Sequence, residues 1–317
     1  MTASRVLRIV VALSLTAYVV WSSDPSGVLA ACRGADLEWI AGAIPLVLID
    51  RALMALRWMD LLAALTPGSR PRFSLVLRIF FVSSFVSNFV PSVAADMYRA
   101  YALARENVHL AESTASVLMD RVLGVLSVVI LASAALPFAH VMGDEQRGLA
   151  WLLGLSVAGC VVAALVVFSE RAAAIVVRLS LLIPVTALQR AAASLTEAVR
   201  RYAQHHGELF RVLVMSLLVQ LIRVLQAWCL GQALGLTVPL AAYFALVPII
   251  VLIIQIPVTV NGLGTAQVAF KYLFLPLGAP APQVVAVSIL FLALGVIGTL
   301  PGAALYLMDS PTARTRG

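Results

Sequence analysis

Charged residues are scarce in this sequence of 317 residues. Asp, Glu, Lys and Arg make up 12% of the chain, whereas hydrophobic residues make up 62%. A soluble domain usually contains roughly 25% charged residues. The mean hydropathy of the chain is +1.01. Because so few charges cannot cover a soluble globule of this size, the composition indicates an integral membrane protein.

Cysteine and short catalytic motifs are also scarce. The three cysteines, Cys32, Cys160 and Cys229, are far apart and odd in number, which excludes a disulfide framework and gives no metal site. The sequence contains no P-loop, no HExxH zinc motif and no nucleophile elbow. We therefore expect no enzyme activity, no catalytic residue, no metal and no other cofactor.

Long apolar runs predict an all-α polytopic membrane protein, because a helix of about 20 apolar residues crosses a bilayer. Two further apolar segments are short and interrupted, and we interpret 75–91 as a re-entrant hairpin and 264–276 as a short crossing. About eight transmembrane helices plus the hairpin are then expected in one membrane domain, 1–317. The predicted spans lie near 6–22, 37–57, 116–138, 149–168, 211–236, 239–260, 264–276 and 283–308.

The positions of the basic residues orient the chain. With a cytoplasmic N-terminus, fifteen of the 22 Lys and Arg residues fall in cytoplasmic segments and only Arg33 and Arg147 fall outside. The positive-inside rule therefore predicts cytoplasmic N- and C-termini. The basic loop 170–210 is the largest cytoplasmic stretch, and helical spacing of its apolar residues predicts that part of it lies on the membrane surface.

Two interrupted segments, 87–96 and 257–267, lie in opposite halves of the chain. In each, Pro and small or polar residues precede a cation and a Tyr. Backbone that is not helical at membrane depth is tolerated where protein or a water-filled cavity covers it, and paired interruptions are typical of a transport site between inverted repeats. The alternative is that Pro and Gly only kink two helices for packing.

Ionisable side chains within the apolar segments are a second indication of a site, since each costs about 2.5–3.5 kcal/mol at a helix centre. Adjacent residues on a helix do not face each other, so Asp50, Arg51, Asp120 and Arg121 are each expected to bond a group on another helix. Arg223 lies in mid-span and either pairs with an Asp such as Asp120 or faces a wet cavity. With Arg78 and Lys271 included, the ionisable residues within the apolar segments comprise five cations and two anions, which favours an anionic ligand.

These segments resemble the lysylphosphatidylglycerol synthase transmembrane family, also called flippase-like. The resemblance covers nearly the whole chain and is carried by residues 51–62, 80–105, 115–124 and 257–270. The sequence differs at Ala94-Ala95, where two glycines are usual, and at Gln267, where Glu is usual. The resemblance implies a helical bundle with re-entrant elements and a cavity for lipid headgroups. We expect no soluble synthase domain on this chain.

Together these features and the resemblance predict a lipid translocase of the bacterial inner membrane. It would bind an anionic phospholipid, or another phosphate-bearing lipid headgroup, within the membrane. Guanidinium groups suit this ligand because they bind phosphate oxygens through two hydrogen bonds. Membrane lipids are the expected partners, nucleic acid is not, and the oligomeric state is left open. The candidate headgroup site consists of Arg78, Asn88, Ser92, Asp96, Arg99, Asp120, Arg121, Arg223, Asn261, Gln267 and Lys271.

Two other functions stay open at this point. The first alternative is a membrane subunit or partner of an enzyme that modifies polyprenyl-phosphate, hopanoid or glycolipid. Alternatively, the chain would be a structural scaffold, in which Asp50, Asp96, Asp120 and Arg223 each form a closed internal ion pair.

Reporter fusions test the predicted orientation. A fluorescent protein fused after residue 317 is expected to fluoresce, and alkaline phosphatase at the same position is expected to be inactive, because the cation distribution keeps this end in the cytoplasm. Fusions after Gly34, in the predicted external loop, should give the opposite pair of signals. An active phosphatase after residue 317 would contradict the predicted topology.

Overall fold

The structure is a computed structural model, which describes residues 13–66, 71–90, 92–106, 108–133, 186–202, 204–255 and 262–309 apart from a few single positions and side chains. These residues form helices, turns and connections without a β-strand among them, which confirms the predicted all-α class for this part of the chain. Apart from single positions, the predicted span 149–168 and the first part of loop 170–210 lie outside the described residues.

The helices are numbered in chain order. Residues 13–21 are helical and precede α1. A short 3₁₀ turn, Leu275–Leu277, follows α9. The bounds are α1 Pro25–Arg33, α2 Leu37–Leu65, α3 Phe73–Val86, α4 Ser92–Ala104, α5 Leu110–Ser133, α6 Thr186–Tyr202, α7 His206–Ala233, α8 Leu240–Gln255, α9 Thr265–Phe274, α10 Ala281–Ile297 and α11 Leu300–Asp309.

Several helices have the length and apolar character that a bilayer requires. Large apolar side chains such as Leu37, Leu218 and Leu307 are exposed on them, and lipid rather than water favours such a surface. The shorter helices α3 and α8 are also apolar. Among the described residues, the stretches long enough to cross a membrane are Leu37–Leu65, Leu110–Ser133, His206–Ala233 and Ala281–Leu307.

Three segments differ from the predicted spans. Helix α2 continues past residue 57 to Leu65. The span 283–308 is interrupted at Gly298 and Thr299, where Pro301 accounts for the new helix start because it lacks an N–H and clashes with the preceding turn. Helix α9, at the predicted short crossing 264–276, has only 10 residues. Its length of about 15 Å is half of a hydrocarbon core of roughly 30 Å.

The predicted hairpin over 75–91 needs a correction. Most of this segment is one helix, α3, and the chain reverses only in the turn at 87–90. The returning limb is α4, whose Arg99 contacts Phe80 and Ser83 of α3. The hairpin therefore covers 73–104. Its second limb resembled a loop in the sequence because charged residues interrupt its apolar positions.

Contacts divide the chain into two compact units. Each unit contains one of the two interrupted segments: α8 and α9 pack together in unit 1, and α3 and α4 pack together in unit 2. Unit 1 is Met1–Asp50, Leu131–Leu153 and Gln220–Gly298, and unit 2 is Arg51–Ile130, Gly154–Val219 and Thr299–Gly317.

The core of unit 2 includes part of the predicted basic loop. Helix α6 packs against α2, α5 and α7 through Val199 and Tyr202, beside Leu61 and Met119. The Tyr202 hydroxyl donates to the Leu61 carbonyl at 2.7 Å. Burial raises the pKa of the Tyr202 phenol, and the carboxylate of Asp120 acts in the same direction. This end of the loop is therefore a helix that packs in the core of unit 2.

The core of unit 1 is built around α9. Phe274 of α9 lies 5.0 Å from the Tyr243 ring of α8, measured between centroids. Phe270 of α9 lies 5.7 Å from the Phe291 ring of α10. Aromatic pairs at these distances contribute about 0.5–1.5 kcal/mol beyond area burial. The rings therefore hold the short helix after the second break against both of its neighbours.

Replacing Gly302 by Ala tests the packing of α11 on α3. A methyl group at Gly302 would overlap the Phe81 carbonyl and lie 3.0 Å from the Phe85 Cβ, so we expect the free energy of unfolding to fall by about 1–3 kcal/mol. At Gly42, inside α2, no atom lies within 4 Å of the same methyl position. Gly42→Ala should therefore be neutral or stabilising by up to about 1 kcal/mol. Unfolding in mild detergent measures both, and equal effects would contradict the packing.

Candidate functional site

The polar centre of unit 2 is an ion pair between α2 and α5. The Arg57 Nε donates to Asp120 Oδ1 at 2.7 Å, and both side chains are 4% exposed. The same guanidinium donates to the Ser216 Oγ of α7 at 3.0 Å. Beside it, the Trp58 indole N–H donates to the Ser116 Oγ at 3.1 Å. These additional hydrogen bonds are needed because desolvation costs several kcal/mol per ion.

Arg99 of α4 is a second cation beside Asp120. Its Nη1 lies 3.5 Å from Asp120 Oδ2, and its Nε donates to the Ser83 Oγ at 3.3 Å. Its Cζ lies 5.0 Å from the ring centroid of Trp58 and 4.8 Å from that of Phe80. Such cation–π contacts offset part of the lost hydration. Asp120 therefore holds Arg57 closely and Arg99 loosely.

A more accessible ion pair lies near this centre. Arg121 of α5 donates from Nε and Nη2 to the two carboxylate oxygens of Asp96 on α4, at 2.9 and 3.1 Å. The Arg121 side chain is 49% exposed and that of Asp96 is 20% exposed. Arg99 interacts electrostatically with both residues. We call these two residues, with Arg57, Arg99 and Asp120, the charge cluster; its three cations and two anions leave one positive charge in excess.

Unit 1 contains a buried ion pair between α2 and α7. The Arg223 Nε lies 3.0 Å from Asp50 Oδ1, and the carboxylate is almost fully buried. The structure confirms that Arg223 has an Asp partner on another helix, but the partner is Asp50 and not Asp120. Asp50 therefore bonds a group on another helix, as expected, because its carboxylate accepts from Arg223 of α7.

The two predicted ligands on α9 have local partners. The Gln267 Oε1 accepts from the backbone N–H of Gly264 at 2.6 Å, which caps the start of α9. The Lys271 Nζ donates to the Ser23 Oγ at 2.7 Å and the Ser22 Oγ at 2.9 Å. These serines follow the helical segment 13–21, whose C-terminal end favours a cation. In unit 1, Gln267 and Lys271 therefore hold helix ends.

The remaining predicted residues do not form one group. The Asn88 Nδ2, in the turn of the hairpin, donates to the Thr299 Oγ1 at 2.9 Å. Arg78 lies near the start of α3 and lines a cavity. The Ser92 side chain and all of Asn261 lie outside the described residues. Within the described part of the chain, no three His, Cys, Asp or Glu side chains come together to hold a metal ion.

The family model described as lysylphosphatidylglycerol synthase TM region matches residues 5–302 of the sequence. The chain belongs to this family. No curated protein and no solved structure was found to match it. Family membership, together with the apolar helices, establishes a membrane-embedded, multi-pass protein.

In this member of the lysylphosphatidylglycerol synthase transmembrane family, sequence reasoning missed Arg57 as a site residue. The predicted span ended at residue 57, which assigned Arg57 to a cytoplasmic segment. Arg99 was assigned to the next cytoplasmic segment because it follows the predicted hairpin 75–91. The structure buries both side chains. Apolar Leu61 and Leu62, which continue the helical spacing to Leu65, are the signal that could have extended the span. Without these two arginines, thirteen basic residues still lie in segments predicted to be cytoplasmic, against two in segments predicted to be external.

Two carboxylate-to-amide substitutions test the unequal roles of the acidic residues in this family member. Asp120→Asn leaves the buried Arg57 and Arg99 without a counter-charge, so we expect the free energy of unfolding to fall by about 3–5 kcal/mol. Asp96→Asn removes an ion pair that is partly exposed, and its expected cost is at most about 1 kcal/mol. Denaturant unfolding in mild detergent measures both. Equal losses would show that Asp120 is not the central counter-ion.

Proposed function

We propose that the charge cluster of unit 2 binds the phosphate-bearing headgroup of an anionic lipid, and that the protein moves this lipid between the two leaflets. The observation that carries the proposal is the excess positive charge of the cluster, whose three cations face two anions. An uncompensated buried charge is costly. A phosphate group that enters the cluster would supply the missing negative charge.

Arg99 is the residue best suited to exchange its partner. Its contact with Asp120 is 3.5 Å long, whereas Arg57 holds the same carboxylate at 2.7 Å. A phosphate oxygen can therefore replace Asp120 at Arg99 while the pair between Arg57 and Asp120 stays closed. The rings of Trp58 and Phe80 keep the guanidinium in place during this exchange.

Arg121 provides the accessible side of the same cluster. Its guanidinium is half exposed and binds Asp96 through two parallel hydrogen bonds. Two oxygens of a phosphate group, like the two oxygens of a carboxylate, can accept a pair of parallel hydrogen bonds from one guanidinium. A phosphate would therefore compete with Asp96 for Arg121. The headgroup would then pass from Arg121 to Arg99, with its acyl chains in the bilayer.

Two further facts support a lipid ligand. The family name refers to the membrane region of a lysylphosphatidylglycerol synthase, which is a lipid-related protein. The exposed apolar surface of the helices suits contact with acyl chains. The sequence has no P-loop, so we assign the movement to an ion gradient or to the lipid gradient itself. Binding and movement, not bond chemistry, are assigned to these residues.

A structural scaffold is the competing candidate, and specific contacts favour it. Asp50 pairs with Arg223, Asp96 with Arg121, and Asp120 with Arg57. A scaffold needs every one of these pairs, but it does not need the positive charge that Arg99 adds beyond them. The two candidates therefore differ in what Arg99 does.

Arg99→Gln separates the two functions. The substitution removes the excess charge and leaves Arg57 paired with Asp120, so the protein should stay folded. We expect translocation of a fluorescent anionic lipid in proteoliposomes to fall at least about tenfold, because one charge-assisted hydrogen bond of 1.5–3 kcal/mol is lost. Arg99→Lys keeps the charge but cannot form two parallel hydrogen bonds to phosphate. This variant should retain part of the activity.

Arg211→Gln is the matched control. Arg211 is an exposed arginine of unit 2 that pairs with Asp60 at 3.0 Å, so its substitution removes the same charge outside the cluster. Translocation should be unchanged in this variant. If the wild-type protein moves no more lipid than empty liposomes, or if Arg99→Gln moves it at the wild-type rate, the translocase proposal fails and the scaffold is favoured.

A further inference from the structure

A cavity of about 540 Å³ opens at the base of the hairpin in unit 2. Its walls come from the segment before α3, the first turns of α3 and the turn after α4. The volume falls within the range of about 300–1,000 Å³ that is typical of small-ligand sites. The lining residues are Pro71, Arg72, Ser74, Leu75, Arg78 and Glu106.

Among the described residues that line this cavity, basic side chains outnumber acidic ones. Two guanidinium groups, Arg72 and Arg78, face one carboxylate, Glu106. The first turn of α3 has no acidic residue, and its N-cap residue, Arg72, forms no side-chain cap. Since a helix N-terminus already carries partial positive charge, these arginines add to that charge instead of offsetting it. An anion in the cavity would be stabilised by both arginines.

The cavity and the charge cluster lie on the same hairpin. Arg78 precedes Ser83 by five residues on α3, a rise of about 7.5 Å, and Ser83 bonds Arg99. Arg99 in turn precedes Glu106 by seven residues. The cavity is therefore about one and a half helical turns from the buried cations that we assign to the headgroup.

We propose that this cavity is the docking site where the phosphate group of an anionic lipid first binds, before it reaches Arg99. Arg72 and Arg78 bind the phosphate oxygens, and Ser74 supplies a hydroxyl donor. Glu106 weakens this binding by repulsion, which lets the headgroup move on. Because the same headgroup is assigned to both places, this step rests on the function proposed above. Free inorganic phosphate has the same chemistry and is tested separately.

Calorimetric titration of the purified full-length protein in neutral detergent measures the docking step. The probes are short-chain phosphatidylglycerol, short-chain phosphatidylcholine and inorganic phosphate. The double variant Arg72→Gln/Arg78→Gln should bind phosphatidylglycerol at least about tenfold more weakly, since two charge-assisted hydrogen bonds are lost. Glu106→Gln should bind it several-fold more tightly, because only the repulsion is removed. These opposite signs do not arise from misfolding.

Arg200→Gln is the matched control, because Arg200 is an exposed arginine of α6 that does not line the cavity. Its affinity for phosphatidylglycerol should equal that of the wild type. The docking site is overturned if the double variant and Glu106→Gln both keep wild-type affinity, or if phosphatidylcholine binds as tightly as phosphatidylglycerol. If inorganic phosphate binds and phosphatidylglycerol does not, the ligand of the cavity is free phosphate and the lipid assignment is wrong.

The docking step and the translocase function fail in different ways. Arg99→Gln should lose translocation but keep the part of the phosphatidylglycerol binding that the double variant Arg72→Gln/Arg78→Gln removes. If the wild-type protein moves no lipid while the cavity variants change affinity as expected, the translocase function fails and the docking site stands. If translocation depends on Arg99 and the cavity variants change nothing, the docking site fails and the function stands.

Discussion

The ion pair between Arg57 and Asp120 is the constraint on which unit 2 depends. It joins α2 to α5, the Ser216 hydroxyl joins α7 to it, and Arg99 brings α4 to the same carboxylate. Water cannot solvate charges at this depth, so every partner has to come from the protein. The packing of four helices is therefore coupled to the position of one aspartate.

Asp120 forms one short contact, with Arg57 at 2.7 Å, and one long contact, with Arg99 at 3.5 Å. We call the first closed and the second loose. Contacts such as Arg57 with Asp120 hold the helices together and gain nothing from opening. Contacts such as Arg99 with Asp120 are longer, and the cation is held mainly by two aromatic rings. A ligand that exchanges with the loose contact does not disturb the closed one. Under the proposed function, this division would let one cluster both stabilise the fold and bind a headgroup.

Much of the outline of the fold could be predicted from the sequence, because bilayer thickness translates directly into the length of apolar runs. The end of α2 and the second limb of the hairpin could not, since both continue through charged residues that hydropathy assigns to loops. For the same reason Arg57 and Arg99 were counted as cytoplasmic cations. Their burial depends on Asp120, and no local pattern shows that this residue lies within reach of both.

For the candidate site residues, too, the sequence did not show which of them come together. Asp96, Arg99, Asp120 and Arg121 come together as one group, whereas Gln267 and Lys271 serve helix ends. The sequence by itself determined that the chain is a helical membrane protein of this family and that its buried charges need partners, because hydropathy and desolvation act on residue type. Only the tertiary structure decided which charges pair and which cation is in excess, because pairing depends on distances between helices that are far apart in sequence.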